Sequence, residues 1–307
     1  MSAPVAILMA VYNGGALLRD QLSSIAAQDH ADWRLLASDD GSSDNSRAVL
    51  EAFAAEGHDV TVLDGSGQGG CANFMSLVAR MGDHAAPESW LAFSDQDDVW
   101  LPDRLSRGIA ALDGIEGPAL YCSRTWVTDA DLRGRRLSAA RPRAPSFANA
   151  LVQNVVAGNT ILLNAEAARL AQAAVHEAGR VVVHDWWIYQ LITGAGGRVV
   201  HDDAPTLLYR QHGANQIGAN DAWRARARRI RQLLRGDFAQ WNAVNIAALR
   251  ASAHRFTPEN RTLLEDFAAM RGLPFARRLA AFARLPVYRQ SVPAQAALWL
   301  AALLGRL

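Results

Sequence analysis

Trp90-Leu91-Ala92-Phe93-Ser94-Asp95-Gln96-Asp97-Asp98-Val99-Trp100-Leu101-Pro102-Asp103-Arg104 joins a short apolar run to a burst of negative charge. Trp90 to Phe93 reads as a buried strand of an α/β sheet. Three carboxylates, Asp95, Asp97 and Asp98, leave its end within four residues. At neutral pH they repel one another unless protons or a cation neutralise them. A hard divalent ion with oxygen ligands, Mg²⁺ or Mn²⁺, is the usual neutraliser. Mg²⁺ takes one or two protein carboxylates and leaves its other positions to water and phosphate. The alternative is a polar loop running into a capped helix with Pro102 in its first turn, because an isolated Asp-x-Asp is a common triplet.

Toward the N-terminus the same alternation recurs. Val5 to Val11 is continuously apolar and ends in Tyr12-Asn13-Gly14-Gly15, a turn signal. Ala16 to Gln28 carries Leu18, Leu22, Ile25 and Ala26 at helical spacing. Trp33 to Ser38 is a second strand and runs straight into Asp39-Asp40-Gly41-Ser42-Ser43-Asp44. A helix over 46–56 follows, with Asp, Asn and Ser at its start to cap it. Val60 to Leu63 is a third strand, Gly65 to Asn73 a glycine-rich loop, and 74–81 a helix. This β-α-β-α-β-α-β order predicts a parallel, doubly wound sheet. Ligands of such sheets bind beyond the carboxyl ends of the strands. Tyr12-Asn13, Asp39-Asp40, the glycine-rich loop with Asn73, and Asp95 to Asp98 all fall there. Gly67-x-Gly69 follows the third strand and lacks the full dinucleotide register, so it reads as a pocket loop or a plain connection.

Composition narrows the classes. The 307 residues suffice for one large domain or a domain with an appendage, and 50% hydrophobic content supplies a full core. A net charge of +1 argues against a general nucleic-acid binder. All 31 basic residues are arginine. Cys71 and Cys122 lack metal-type spacing, as expected of a reducing compartment or of structural thiols. Met1-Ser2-Ala3-Pro4 lacks the basic start of a signal peptide. No window approaches the ~20 apolar residues of a spanning helix. A cytoplasmic protein is expected, one that touches a membrane at most peripherally on the cytoplasmic face of the inner membrane.

Downstream, Leu105 to Leu112 continues as a helix and Ala119 to Ser123 as a strand. Residues 129–147 are rich in Arg and Pro, a mobile loop over the pocket or a solvated surface loop. Gln153 to Thr160 precedes the apolar strand Ile161 to Leu163, and Ala165 to Ala178 reads as a helix. Val181-Val182-Val183 reads as a strand running into His184-Asp185-Trp186-Trp187, the aromatic start of a helix. Asp185 is either a helix N-cap or a reacting carboxylate. Tyr209-Arg210-Gln211-His212-Gly213-Ala214-Asn215 closes this part of the chain.

The chain resembles the family 2 inverting glycosyltransferases with the GT-A nucleotide-sugar fold. The matching residues are Val11-Tyr12-Asn13, Asp39-Asp40-Gly41-Ser42, Asp95-Gln96-Asp97-Asp98-Val99-Trp100 and Pro102-Asp103-Arg104, over residues 4–220. The Ser-Asp-Gln-Asp-Asp-Val-Trp spelling is most similar to the bacterial rhamnosyltransferase branch that builds surface polysaccharides such as O-antigen. The resemblance implies that Ala10, Tyr12 and Asn13 line the donor's base pocket, with the Tyr12 ring on the pyrimidine. Asp40 would accept from the base N3–H, supported by Asp39, with Asn73 nearby. Asp95 and Gln96 would sit by the ribose or sugar. Asp97, helped by Asp98, would bind Mg²⁺ or Mn²⁺ at the diphosphate, with Arg210 and His212 on the diphosphate and His212 as a further metal ligand. Position 10 is Ala where the family often has a hydroxyl residue. Gly158 and Asn159 would border the acceptor, with His184, Trp186 and Trp187 beside it; the alternative for those three is packing in the core. Asp185 would be the one base that inverting transfer requires.

From these residues an α/β fold is expected: a GT-A-type, mostly parallel Rossmann-like sheet flanked by helices over residues 1–220, with an α-helical C-terminal region over 221–307. Trp223 to Arg235 reads as a basic amphipathic helix with six Arg, and further Arg-flanked apolar helices follow. These helices either lie on an anionic membrane surface or pack on the catalytic part with a solvated Arg face. The expected activity is hexosyl transfer, most simply L-rhamnose from dTDP-L-rhamnose and next a UDP-sugar, to a glycan or lipid-linked glycan acceptor, with no nucleic acid involved. A nucleotidyltransferase on a similar sheet would want a P-loop lysine, and the chain has none. A non-catalytic membrane-bound scaffold would need neither Asp97 nor Asp185.

Overall fold

The apolar run Val5–Val11 forms β1 in the computed structural model of the chain, which describes residues 3–211 and 236–307. His212 and the basic stretch 223–235 lie outside the described residues. Along β1, Ala6 and Leu8 enter one core and Val5, Ile7, Met9 and Val11 the other. A strand buried on both faces must be apolar throughout, as this one is.

Parallel pairing joins β1 to β2 (Trp33–Asp39) and to β4 (Trp90–Ser94), and β2 to β3 (Val60–Asp64). Helices α1 (Gly15–Ala26), α2 (Ser46–Ala55) and α3 (Gly70–Arg80) make the crossovers. Beyond β4 the sheet becomes mixed. The two-residue β8 (Leu162–Leu163) lies antiparallel between β4 and β6 (Ala119–Thr128). The long β9 (Arg198–Arg210) then pairs parallel with β6, and β5 (Val99–Trp100) pairs antiparallel with β9. The order is β3-β2-β1-β4-β8-β6-β9-β5, with β7 (Arg136–Leu137) on β6.

Two expectations are corrected. Val181 to Val183 form no strand: the chain bends at Val182, Val183 is the extended residue before α7 (His184–Gly194), and the three valines pack on the hydrophobic core instead of pairing. Residues 129–147 are not a free loop. β7 pairs with β6, Arg141 Nε donates to the Val155 carbonyl, and Arg143 N–H donates to Gln290 Oε1.

Helices α1, α2 and α4 (Arg104–Leu112) cover one face of the sheet. On the other lie α3, α5 (Phe147–Ala150), α6 (Ala165–Val175) and α7, together with four C-terminal helices. These are α8 (Asp237–Ala251), α9 (Pro258–Arg271), α10 (Phe275–Arg284) and α11 (Val292–Leu304). One hydrophobic cluster runs from Leu8 and Phe93 in the sheet through Tyr189 and Ile192 of α7 to Phe267, Phe282 and Leu298. The join is close. Thr257 N–H and Asn260 Nδ2 both donate to the Gly194 carbonyl, and a Cβ on Gly194 would lie 2.9 Å from the Phe256 ring.

Candidate active site

Four loops leave the carboxyl ends of β1 to β4, as the alternation requires. Hydrogen bonds knit the first two together. Asn13, at φ 49°, accepts at Oδ1 from Ser43 N–H and donates its own N–H to Ser42 Oγ. Asp39 accepts from Ser42 N–H at 3.0 Å. The Asp40 carboxylate accepts from Gly67 N–H at 2.7 Å and Gly69 N–H at 2.8 Å, so the glycine-rich loop wraps this side chain. Gly67 and Gly69 have φ of 68° and 90°, a left-handed backbone that glycine adopts without strain. Asn73 is fully buried behind the loop and donates to the Ser38 carbonyl. Ala10 is half-buried, packed against the core beneath the rim. The Tyr12 ring stands 59% exposed.

The β4 loop holds that ring's backbone in place. Gln96 Oε1 accepts from Tyr12 N–H at 2.8 Å, and Gln96 Nε2 donates to the Tyr12 carbonyl at 3.0 Å. Gln21 and Arg104 support the loop from below. The Gln21 carboxamide lies 2.8 Å from Ser94 Oγ. Arg104 is buried with its guanidinium 3.5 Å above the Trp100 ring and donates to the carbonyls of Phe93 and Asn159. Burial brings its pKa down to about 9, against the opposing pull of Tyr121, Asp98 and Asp95.

The three loop carboxylates part company. Asp98 is fully buried and turned inward; it accepts from Asn159 Nδ2 at 2.6 Å and from Arg210 N–H at 3.3 Å. Burial first, then the charges of Asp95 and Asp97, push its pKa well above the carboxylate range. Asp95 is pushed up to about 7, by burial first and then by the charges of Asp97 and Asp185. The charge of Asp185, on a helix about 90 residues further along the chain, thus reaches Asp95. Asp185 sits in the first turn of α7, the end of a helix that attracts negative charge. Its Oδ1 accepts from Trp186 N–H at 2.6 Å and its Oδ2 from Gly158 N–H at 3.2 Å. A Cβ on Gly158 would fall 2.9 Å from His184 Nε2 and 3.3 Å from Asp185 Cβ, so glycine is what lets the two segments meet. Cys71 lies against the same corner; burial raises its thiol to about 11, and the Asp185 charge adds to the rise.

The remaining expected site residues are supports. His184 stacks on Phe74 at 4.1 Å, and burial holds its pKa below the ordinary value. Trp186 and Trp187 are both buried, the former donating from Nε1 to the Ala150 carbonyl, and neither presents a ring face to the rim. The Arg210 side chain reaches the Asp97 carbonyl at 3.0 Å, the Ala130 carbonyl at 2.9 Å and Asp20 Oδ2 at 2.7 Å, clamping three segments. Sequence reading passed over Gln21 and Asp20, whose partners Ser94 and Arg210 stand 73 and 190 residues away, and quoted Arg104 without a role.

Among the described residues no three His, Cys, Asp or Glu side chains converge as metal ligands. What the site offers is the half-buried Asp97 next to Asp95, whose pKa is raised first by burial and then by the charges of Asp97 and Asp185. Such a donor set fits a Mg²⁺-type ion held by one or two carboxylates and completed by diphosphate and water.

The sequence profile described as Glycosyl transferase family 2 matches residues 6–165, more than half of the chain. The chain is 27% identical to the dTDP-rhamnosyl transferase RfbG of Shigella flexneri over 229 residues, 72% of this chain and 78% of that one. It is 30% identical to the UDP-Glc:alpha-D-GlcNAc-diphosphoundecaprenol beta-1,3-glucosyltransferase WfgD of Escherichia coli over 108 residues, 35% of this chain and 40% of that one. Among solved structures, S. aureus TarS (residues 1–349) superposes with a TM-score of 0.58 at 14% identity, covering 99% of this chain and 80% of that one.

Proposed function

The chain belongs to glycosyl transferase family 2, and on that premise we propose that it transfers L-rhamnose, with inversion, from dTDP-L-rhamnose to a hydroxyl of a lipid-linked glycan in bacterial surface-polysaccharide synthesis. The observation that supports the reading is that adjacent residues tie the two segments: Gly158 N–H donates to Asp185 and Asn159 Nδ2 to Asp98 of the carboxylate loop. The exposed Tyr12 ring and the Asp40 carboxylate, held by Gly67 and Gly69 N–H, would line the base pocket. The dTDP-rhamnosyl donor follows the activity named for the S. flexneri relative, and the lipid-linked acceptor the diphosphoundecaprenol substrate named for the E. coli one.

In the reaction, Asp185 accepts the proton of the acceptor hydroxyl while that oxygen bonds the anomeric carbon from the face opposite the leaving group. The C–O bond to the nucleoside diphosphate breaks, and the diphosphate departs with the electron pair. Gly158 N–H and Trp186 N–H aim the Asp185 carboxylate. Asp97 would hold the divalent ion, which supplies charge compensation for the diphosphate when bound. Asp98, turned onto Asn159, sets the loop's shape.

Asp185→Asn should lower transfer by about 10²–10⁴-fold while calorimetry finds dTDP-rhamnose bound nearly as in the wild type. Substantial remaining turnover would remove Asp185 as the base. Asp97→Ala should weaken donor binding and make it indifferent to EDTA; a response to EDTA like the wild type's would count against Asp97 as the ion's ligand. Titration with UDP-sugars beside dTDP-rhamnose tests the donor.

A further inference from the structure

Among the described residues, the large hydrophobic side chains left exposed are Tyr12 at the rim and six others, all on the last two helices: Phe275 on α10, and Val292, Trp299, Leu300, Leu303 and Leu304 on α11. At 100° per residue the five on α11 fall within an arc of about 140°. Leu298, Ala301 and Ala302 on the opposite side are buried in the core. The stripe is therefore an outer face with its own inner face already occupied. Trp299 is held edge-on against Phe282 of α10, with ring centroids 4.6 Å apart, so its orientation is fixed. Arg278 closes the end of α11 by donating to the carbonyls of Ala302 and Leu303.

Charge decides what such a face meets. From Phe267 to Leu307 the chain carries six arginines, at 271, 277, 278, 284, 289 and 306, and no Asp or Glu. Arg277, Arg284 and Arg306 are exposed. In a two-fold dimer the patch would meet itself, bringing arginine toward arginine with no local acid to pair. An anionic lipid surface offers the reverse: negative headgroups for the arginines and acyl chains for the stripe. No helix of the described residues is long and apolar enough to cross a membrane, so α11 would lie along the bilayer.

We propose that the α10–α11 face docks on an anionic lipid bilayer, with Val292, Trp299, Leu300, Leu303 and Leu304 in the headgroup–acyl boundary. The proposal goes beyond the transfer reaction and depends on neither the donor nor the acceptor assigned above. The test is flotation of the full chain with phosphatidylcholine vesicles, with and without phosphatidylglycerol, beside Val292→Asp and Leu300→Glu/Leu303→Glu. Val292 is 84% exposed, so its variant leaves the core untouched. Thermal melting and the mass in solution are measured for each. Flotation that requires phosphatidylglycerol and falls at least about tenfold in the double variant, with melting and mass unchanged, supports the proposal. Absence of flotation, flotation equal on uncharged vesicles, or flotation unmoved by both variants overturns it. So does a dimer that the variants split, since the stripe would then face a second copy.

Discussion

Gln96 satisfies both backbone groups of Tyr12 with one carboxamide, so the exposed ring is positioned by a residue 84 positions away. Gln96→Ala should weaken nucleotide binding about fivefold, the worth of a hydrogen bond of about 1 kcal/mol, with little change in melting temperature because the bonds are exposed. Calorimetric titration checks it. Gly65 makes a harder demand. A Cβ there would stand 2.6 Å from Asp40 Oδ1, 2.7 Å from Asp40 Cα and 2.9 Å from the Asp39 carbonyl oxygen. Backbone atoms cannot swing aside, so Gly65→Ala should destabilise the fold by about 1–3 kcal/mol and displace Asp40. Lower melting temperature together with weaker donor binding is the expected pair. The sequence placed Tyr12, Asp40 and Asp97 just past strands and Asp185 at a helix start, and the fold has them there. The inward turn of Asp98 was not legible, because it depends on Asn159, 61 residues on.

At the scale of elements, apolar runs were legible and the long β9, which carries Arg198, His201, Asp202 and Asp203, was not. The strand at Val5–Val11 has the bounds its pattern announces, and the helix expected over 46–56 forms over Ser46–Ala55. The apolar strand read at Ile161 to Leu163 forms as β8, paired with β4 and β6, whereas β5 spans two residues beside β9 and no period can be read from two residues. The Val181–Val183 run shows the converse, an apolar triplet that packs on the core without pairing. The join of α7 to the C-terminal helices supports two predictions. Phe256 meets Gly194 and stacks edge-on with Phe147 at 5.5 Å, so Phe256→Ala should cost about 3–5 kcal/mol in a denaturation titration. Glu177, just past α6, binds Arg255 at 2.6 Å. The hydrogen bond from Arg255, against a small burial cost, and then that from Ser252 hold its carboxyl below the ordinary glutamate value. A depressed folded-state pKa contributes stability above the unfolded value and loses it as pH falls through the folded one. Wild type should therefore melt above Glu177→Gln at neutral pH, with the gap closing in acid. Salt should narrow it, because the pair is partly exposed.

Across the whole molecule, one apolar cluster continues from the sheet into the last helix. A shared core predicts a single cooperative transition, with calorimetric and van't Hoff enthalpies equal; two separated heat-absorption peaks would contradict it. A smaller bridge runs the same way. Tyr189 of α7 donates to Asn149 Oδ1, and Asn149 Nδ2 donates to the Tyr288 carbonyl, while the Tyr288 hydroxyl bonds Ser146 Oγ and the Ala144 carbonyl. Four residues past Tyr288, α11 begins. The helix that carries Asp185 in its first turn and the one that bears the apolar stripe thus share a strut. A chain moored by its final helix would carry its reactive carboxylate at a fixed height above the plane of anchorage, as a gantry holds a tool over a bench.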